Sequence, residues 1–465
     1  MSHQLGSELQ PLRVAIVGAG PSGFYAAGAL QSKQKELGLH IAIDMFDKLI
    51  APHGLVRYGV APDHQNIKAV SKVYDRIAAD PNFRYFGNVE FCNHLHLEDF
   101  QKHYNAILFA VGAQSDRRLG IAGEDLPNSF SATEFVAWYN GHPHYKHLNP
   151  NLNVKDVVVV GVGNVAMDVA RILAHTIEEL QHTDIADHAP VVLAQSKVEN
   201  IYILARRGPA QVKFTPVELK EFGELAIAEP IVLPTELEID EVSAQLVADD
   251  PQMQRNLETL RTFVKTKPEG KARRVHFRFL LSPVEIMADE EGGISAVKVE
   301  KNKLLPNADG SDMKATGTGE FETIPAGLFL RSVGYKGLPL DSVPYDSRSG
   351  IIPNREGRIV DESGSPLSGL YVVGWAKRGA NGIIGTNKPD SHETVDKLIE
   401  DLHLFAKVAQ PDPQAIVELL QQRGVRYVSQ SDWQKINDVE VALGKEQGRP
   451  RVKFISHEEM LAVLS

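Results

Sequence analysis

A single cysteine, Cys92, in 465 residues excludes an internal disulfide framework, a four-thiolate iron–sulfur cluster, a zinc–thiolate knuckle and a CxxC redox pair. Any electron chemistry must therefore run on a bound organic cofactor. Long apolar runs are also missing: the richest, at 157–162, ends inside a glycine motif, far short of the ~18 residues of a membrane-spanning helix. The first dozen residues show neither a secretory leader nor an Arg-rich transit peptide, so the expectation is a cytoplasmic protein without membrane insertion. Positive charge is scarce as well. The 49 Lys+Arg against 60 Asp+Glu give a net charge of −11, which argues against general binding to nucleic acid or anionic membranes.

What is present is an ordinary globular composition, 43% hydrophobic and 23% charged, in a chain about three times the ~150-residue domain prior. A strand-type run at 13–17 feeds directly into GAGPSG at 18–23, then a helix-compatible stretch at 24–37 and a second apolar run at 41–46 that ends at Asp47. In such a βαβ unit Gly18 permits the tight turn, Gly20 lets backbone approach a diphosphate, and Gly23 allows close helix packing. Asp47, 24 residues past the last glycine, suits the hydroxyls of a ribose without a 2′-phosphate, as in FAD or NAD.

A second unit opens with the strand at 157–160 and continues through GVGNVA at 161–166, a helix expected at 167–175, and a strand at 201–204. Ala166 stands at the third glycine position. Arg206 and Arg207 stand where an NAD site carries an acid, and two guanidinium forks suit a 2′-phosphate, so this unit favours NADP. A chain with one site for each cofactor has the minimal equipment of a flavin-dependent pyridine-nucleotide oxidoreductase.

Between the units, residues 106–113 read as a buried strand leaving the first domain. Short strands are expected at 275–281 and 294–300, and further buried strands ending in glycine at 328–334 and 370–374 suggest a return to the first domain. The PDP at 411–413 marks a linker to an appendix with helices expected at 413–422 and near Trp433, and a capping box at Ser456 and Glu459. The expected fold is α/β, two Rossmann-like dinucleotide-binding domains with the NADP domain inserted in the FAD domain. The expected boundaries are 1–113 and 331–410 for FAD, 114–330 for NADP, and 411–465 for a C-terminal extension. The histidines in GHPHYKH at 141–147 lack a companion carboxylate or thiol and include Lys146, so no metal site is assigned. His94 and His96 have the spacing of neighbours on one face of a strand.

The strings GLVRYGVAPDH at 54–64, GVGNVAMDVAR at 161–171, RRGP at 206–209, FTPVELKE at 214–221, GWAKRG at 374–379 and GIIGT at 382–386 closely resemble the adrenodoxin-reductase-type ferredoxin–NADP reductases. The match runs in family order from about residue 12 to about residue 400, and the tail resembles extensions of bacterial members. The resemblance implies FAD against Gly18, Ala19, Gly20, Gly23 and Asp47, with Leu55 and Phe91 lining it and the flavin ring near Trp375, Gly382, Ile383 and Ile384. It implies NADP along Val162, Gly163, Asn164 and Val165, with Arg206, Arg207 and Glu218 around the adenosine end. Asp47 replaces the family's more usual Glu, and Val162 stands where some members have Gln.

His64 and Glu221 fall in motifs that the family places near the flavin. They are candidates for a pair that positions the nicotinamide or relays a proton, the alternative being a structural histidine and a solvated glutamate. Trp375 on its own reads as core packing, and its glycine-rich flank is what points to the cofactor.

With no second redox centre encoded, electrons should leave directly to an external acceptor, by resemblance an acidic ferredoxin-type carrier. Residues 255–278 hold Arg255, Arg261, Lys265, Lys267, Lys271, Arg273, Arg274 and Arg278 against Glu258 and Glu269, a local excess of six positive charges. That segment is the expected dock, with Arg255, Arg261, Arg273 and Arg274 in it, the alternative being a solvated basic helix face. Rival readings are an NADPH diaphorase or electron-input subunit with another acceptor, and a non-catalytic NADP(H)-sensing protein.

Overall fold

Six consecutive buried residues, Leu12–Val17, form an interior strand of a seven-stranded sheet. A strand buried on both faces reads as an unbroken apolar run, as this one does apart from Arg13. Its parallel neighbours are Ile41–Asp47 and Ala106–Phe109; Phe83–Gly87 lies beyond the first and Pro366–Val372 beyond the second. The short strands Arg358–Val360 and Asn354–Arg355 complete that edge, antiparallel. This sheet is thus assembled from two stretches of chain far apart in sequence. The computed structural model describes residues 4–307 and 312–465.

A second sheet of six parallel strands is built from the intervening chain, in the order Ser129–Ser131, Leu328–Arg331, Asp156–Val160, Asn200–Leu204, Arg273–Arg278, Ala228–Val232. One face packs on helices, among them Asn164–Ala174, around a core that includes Phe135, Trp138, Met167 and Phe277. The other face, through Val158, Val160, Leu204 and Phe329, is covered by an antiparallel sheet of Leu281–Ala288, Ile294–Pro306 and Met313–Pro325. Each parallel sheet ends a strand in a glycine turn followed by a helix. The helix expected at 167–175 starts earlier, at Asn164, because Gly163 is extended and serves as its N-cap.

The appendix is not a free tail. Helix Gln430–Glu446 places Trp433 and Ile436 in a small core with Leu49, Ile50 and Tyr58 of the first sheet's unit. Glu440, fully buried, receives both guanidinium nitrogens of Arg57 at 2.8 and 2.5 Å. The chain then crosses to the second unit, where Lys453 Nζ reaches Asp184 at 3.1 Å and Arg449 reaches Asp187 at 2.5 Å. Asp184 also holds Lys68 of the first unit at 2.6 Å. The tail therefore straps the two sheets' units together through the buried pairs Arg57–Glu440 and Lys453–Asp184 and the partly exposed pair Arg449–Asp187. The two histidines spaced like strand neighbours lie at the surface, half-buried and exposed, but not on a strand: His94 accepts a hydrogen bond from Glu90 N at 3.0 Å in a turn, and His96 caps helix Leu97–His103.

Candidate active site

Both glycine turns are shaped from below and open above. Gly18 has φ +111°, and a Cβ there would lie 2.4 Å from the Ala110 carbonyl oxygen; at Gly161, φ +132°, it would lie 2.1 Å from that of Ser332. At Gly20 and Gly163, by contrast, an added Cβ would meet no protein atom within 4 Å. Helices Pro21–Leu37 and Asn164–Ala174 start at these two residues without a side-chain cap, so their first N–H groups face the open space. Uncapped amides at a positive helix end above a glycine are what a dinucleotide diphosphate needs, and the residues present fit one such group per unit.

Around the first turn, His53 N donates to Ala19 O at 2.7 Å, which draws the loop carrying Gly54 and Leu55 beside Gly20. Asp47 accepts from Ala19 N at 2.7 Å and Leu49 N at 2.8 Å, and burial raises its pKa. Its shorter side chain is thus partly committed to shaping the turn, with acceptor positions left for a ribose. Phe91 is buried against Phe100 and, edge-on at 5.2 Å, Phe109. Farther along, Trp375 leans on Tyr335 with ring centroids 5.1 Å apart and donates to Asn381 O at 3.0 Å, while Gly382 (φ +78°) and the 64%-exposed Ile383 form an open loop beside it.

The second turn is tied to the helix that follows. Asn164 Oδ1 accepts from Thr215 N at 3.0 Å, at the start of helix Pro216–Glu221, which carries Glu218 and Glu221. Glu221 then meets His64 from the other unit, with Nε2 3.2 and 3.3 Å from its two carboxylate oxygens. On the opposite ring nitrogen, His64 Nδ1 lies 3.4 Å from Arg171 Nη2. An Nε2–H tautomer satisfies both contacts, donating to Glu221 and accepting from Arg171. Burial pulls the His64 pKa down, but the Glu221 hydrogen bond and the charges of Asp63 and Asp168 outweigh it and Arg171, and the net direction is up.

Arg171 organises what lies behind. Its guanidinium, 2% exposed, reaches Asp63, Asp168, Glu218 and Glu221 at 2.6, 2.7, 2.9 and 3.1 Å. Burial lifts the Asp168 pKa to about 7, against the opposing pull of Arg171. Burial also raises Glu218, whereas Asp63, though burial opposes it, is held well below the carboxylate range by His175 and Arg171. Glu218 therefore belongs to the His64 cluster. Of the residues expected around the adenosine end, Glu218 is the third residue of its helix and is turned onto Arg171, and it makes no ion pair with Arg206 or Arg207 among the described residues. His64, Asp168 and Glu218 also form the one group among the described residues whose ligand-type atoms approach within 4.8 Å of one another, and Arg171 already supplies the cation there.

Arg206 is exposed at the end of its strand, and Arg207 pairs with Asp312 at 2.7 Å. Asn302 donates to Arg206 O and Ser282 Oγ, each at 2.8 Å, which fixes the turn against the antiparallel sheet. In the basic segment, Arg255, Arg261, Lys265, Lys267 and Arg274 are exposed. Arg273 is a correction. Its guanidinium donates to Leu173 O at 2.5 Å and His175 O at 3.1 Å, closing the C-terminus of helix Asn164–Ala174. Arg278 is likewise taken up by Glu236 and Glu322.

A family model described as pyridine nucleotide-disulphide oxidoreductase matches residues 12–207. The NADPH-ferredoxin reductase FprA of Mycobacterium tuberculosis (strain ATCC 25618 / H37Rv) is 43% identical, the alignment covering 98% of this chain and 99% of that protein. The mitochondrial NADPH:adrenodoxin oxidoreductase of Arabidopsis thaliana is 37% identical, with 97% and 95% covered. The chain belongs to the adrenodoxin-reductase-type ferredoxin–NADP reductases. A solved structure of the M. tuberculosis FprA in complex with NADPH superposes with a TM-score of 0.91 at 42% identity, covering 98% of this chain and 99% of that one.

Within this reductase the fold brings His64 and Glu221 together from motifs 157 residues apart. Asp63, Asp168 and Arg171 lie inside the strings that carry the family resemblance, yet reading them for nucleotide contacts passes over them. The available signal is the Asp-x-x-Arg spacing, which puts both side chains on one helix face just past the second glycine turn.

Proposed function

We propose that this reductase oxidises NADPH through FAD and passes the electrons singly to a ferredoxin-type iron–sulfur protein. The observation that carries the reading is the pair of open glycine cradles, one on each parallel sheet, with the His64–Glu221 contact joining their units. When bound, FAD accepts a hydride from the nicotinamide and returns its electrons one at a time. In this reading Gly18, Ala19, Gly20, Gly23 and Asp47 hold the FAD adenosine and diphosphate, with Leu55 beside them and Phe91 as apolar wall. Trp375 and the loop Gly382, Ile383 and Ile384 border the ring. Val162, Gly163, Asn164 and Val165 cradle the NADP diphosphate, and Arg206 and Arg207 hold the 2′-phosphate.

His64 keeps a proton at Nε2 against Glu221, whose 30%-exposed side chain faces the solvent side of the cluster. The pair thereby fixes the cleft edge where nicotinamide must stack within near-attack distance of the flavin. Residues 1–113 and 331–410 form the FAD domain, 114–330 the NADP domain and 411–465 the extension, with Arg331 itself still paired to Val160 in the second sheet. The carrier is acidic and docks on the exposed residues Arg255, Arg261 and Arg274 with Lys265 and Lys267, a weak and salt-sensitive contact suited to turnover. One half-buried free thiol, Cys92, suits the reducing cytoplasm as the working compartment. No helix among the described residues is long and apolar enough to cross a membrane.

The test is the absorbance of the purified protein and its turnover. Flavin colour bleached by NADPH, and cytochrome c reduction strongly accelerated by added ferredoxin, are expected. A colourless protein, or reduction indifferent to ferredoxin, removes the reading in favour of a nucleotide-binding protein or a general diaphorase respectively.

A further inference from the structure

We propose that Arg171 is a positioning residue for hydride transfer, holding His64 and Glu221 in register across the junction of the two nucleotide units. The inference rests on the reading above and goes past it, since the Arg171 guanidinium is 2% exposed and committed to side chains of this chain.

Arg171 has five N–H groups facing five carboxylate contacts and His64 Nδ1, so Nη2 shares its two N–H groups among three acceptors. Nε and Nη2 take the two oxygens of Asp63 at 2.6 and 3.1 Å, Nη2 also takes Asp168 at 2.7 Å, and Nη1 takes Glu218 at 2.9 Å and Glu221 at 3.1 Å. These acids come from three places: Asp63 precedes His64 in the first unit, Asp168 lies one turn before Arg171 on its own helix, and Glu218 and Glu221 lie on helix Pro216–Glu221. The fork therefore joins the loop bearing His64 to the helix bearing Glu221.

Other ionisable groups face the cluster. His175 lies 3.2 Å from Asp63 and 3.0 Å from Glu179, and the hydroxyl-bearing rings of Tyr139 and Tyr335 approach from two further segments. None of them supplies a fixed positive charge. Without Arg171, four acids would converge on one imidazole, repel one another and take up protons, and His64 would lose the cation 3.4 Å from Nδ1. Both changes move protonation to higher pH. Lysine would keep the charge but offers three N–H groups for five oxygens.

The test uses the full-length, flavin-loaded protein with Arg171→Lys and Arg171→Leu, following flavin bleaching by NADPH in a stopped-flow instrument across the neutral pH range. The Lys variant is expected to keep the wild-type pH profile while its limiting rate falls about tenfold with NADPH affinity nearly unchanged, as for a misplaced but correctly charged site. The Leu variant is expected to shift the profile upward by about one pH unit. A Lys variant with the wild-type limiting rate, or one whose loss lies wholly in NADPH affinity, overturns the proposal. If the Leu variant does not retain flavin, the Lys variant decides alone. A wild-type protein that NADPH fails to bleach overturns the parent reading instead, so the two failures are distinct.

Discussion

Replacing Arg206 and Arg207 together by alanine tests the coenzyme preference most directly. A charge-assisted hydrogen bond contributes about 1.5–3 kcal/mol. Arg207, however, is already held by Asp312 at 2.7 Å, with side chains 20% and 48% exposed. Leaving that partly exposed pair costs about 0–1 kcal/mol. Arg207 alone is therefore worth about 1–2 kcal/mol to NADPH, and the two arginines about 3 kcal/mol, which is roughly 150-fold in kcat/KM. NADH has no 2′-phosphate and should be unaffected. The same bookkeeping gives the opposite sign for Asp312→Asn: relieved of its competitor, Arg207 should bind NADPH about 2–5-fold more tightly. The assay is kcat/KM for both coenzymes with a small dye as acceptor, so that carrier docking plays no part. An NADPH:NADH ratio unchanged in the double variant would refute the assignment, and weaker NADPH binding in Asp312→Asn would refute the competition.

Gly20→Ala should fold normally yet purify with little flavin, because the methyl group meets only the space assigned to the diphosphate, whereas Gly18→Ala should lose soluble yield through its clash with Ala110; absorbance per protein and yield separate them. Glu440→Leu leaves buried Arg57 without its partner and should cost about 3–5 kcal/mol in urea unfolding. Acid should loosen the same junction. Burial works against the carboxylates of Asp184 and Glu440, but Lys453 and Lys68 for the first and Arg57 for the second hold their pKa values below the unfolded ones. Their stabilisation is complete above the ordinary carboxylate range near ~4 and is lost as pH falls through the lowered folded values, so Asp184→Asn should flatten the acid limb of a stability profile. Reversing Arg255, Arg261 and Arg274 should raise KM for ferredoxin and flatten its salt dependence, while Arg273→Ala should change thermal stability and leave that KM alone; a ferredoxin KM that responds only to Arg273 would sink the docking surface.

The parts legible in the sequence are those set by local rules. Glycine at fixed offsets, an apolar run before it and a helix after it are each dictated within about twenty residues, so both glycine turns and most strands could be read directly. Interactions that depend on two distant segments could not. Arg171 looks like any arginine in an amphipathic helix until the fold sets Asp63 beside it, and Arg273 looks like surface charge until the end of helix Asn164–Ala174 arrives at its guanidinium. The resemblance places Glu218 around the adenosine end, and nothing local in the sequence shows that its carboxylate is also bonded to Arg171. The strap was the least legible element. Its partners, Arg57, Lys68 and Asp184, lie hundreds of residues earlier and carry no local sign of being buried.

That strap also imposes an order on biosynthesis. Strand Pro366–Val372 must find Ala106–Phe109, and the entire second sheet is encoded between them, so a growing chain completes the inserted unit before the first sheet can close. Glu440 and Lys453 come later still, and until they emerge Arg57 has no counter-ion and Asp184 has only Lys68. A chain that stops short of residue 433 would thus expose an uncompensated arginine and the apolar seat of Trp433 on Leu49, Ile50 and Tyr58. Premature termination would therefore leave its mark at the junction of the two sheets' units.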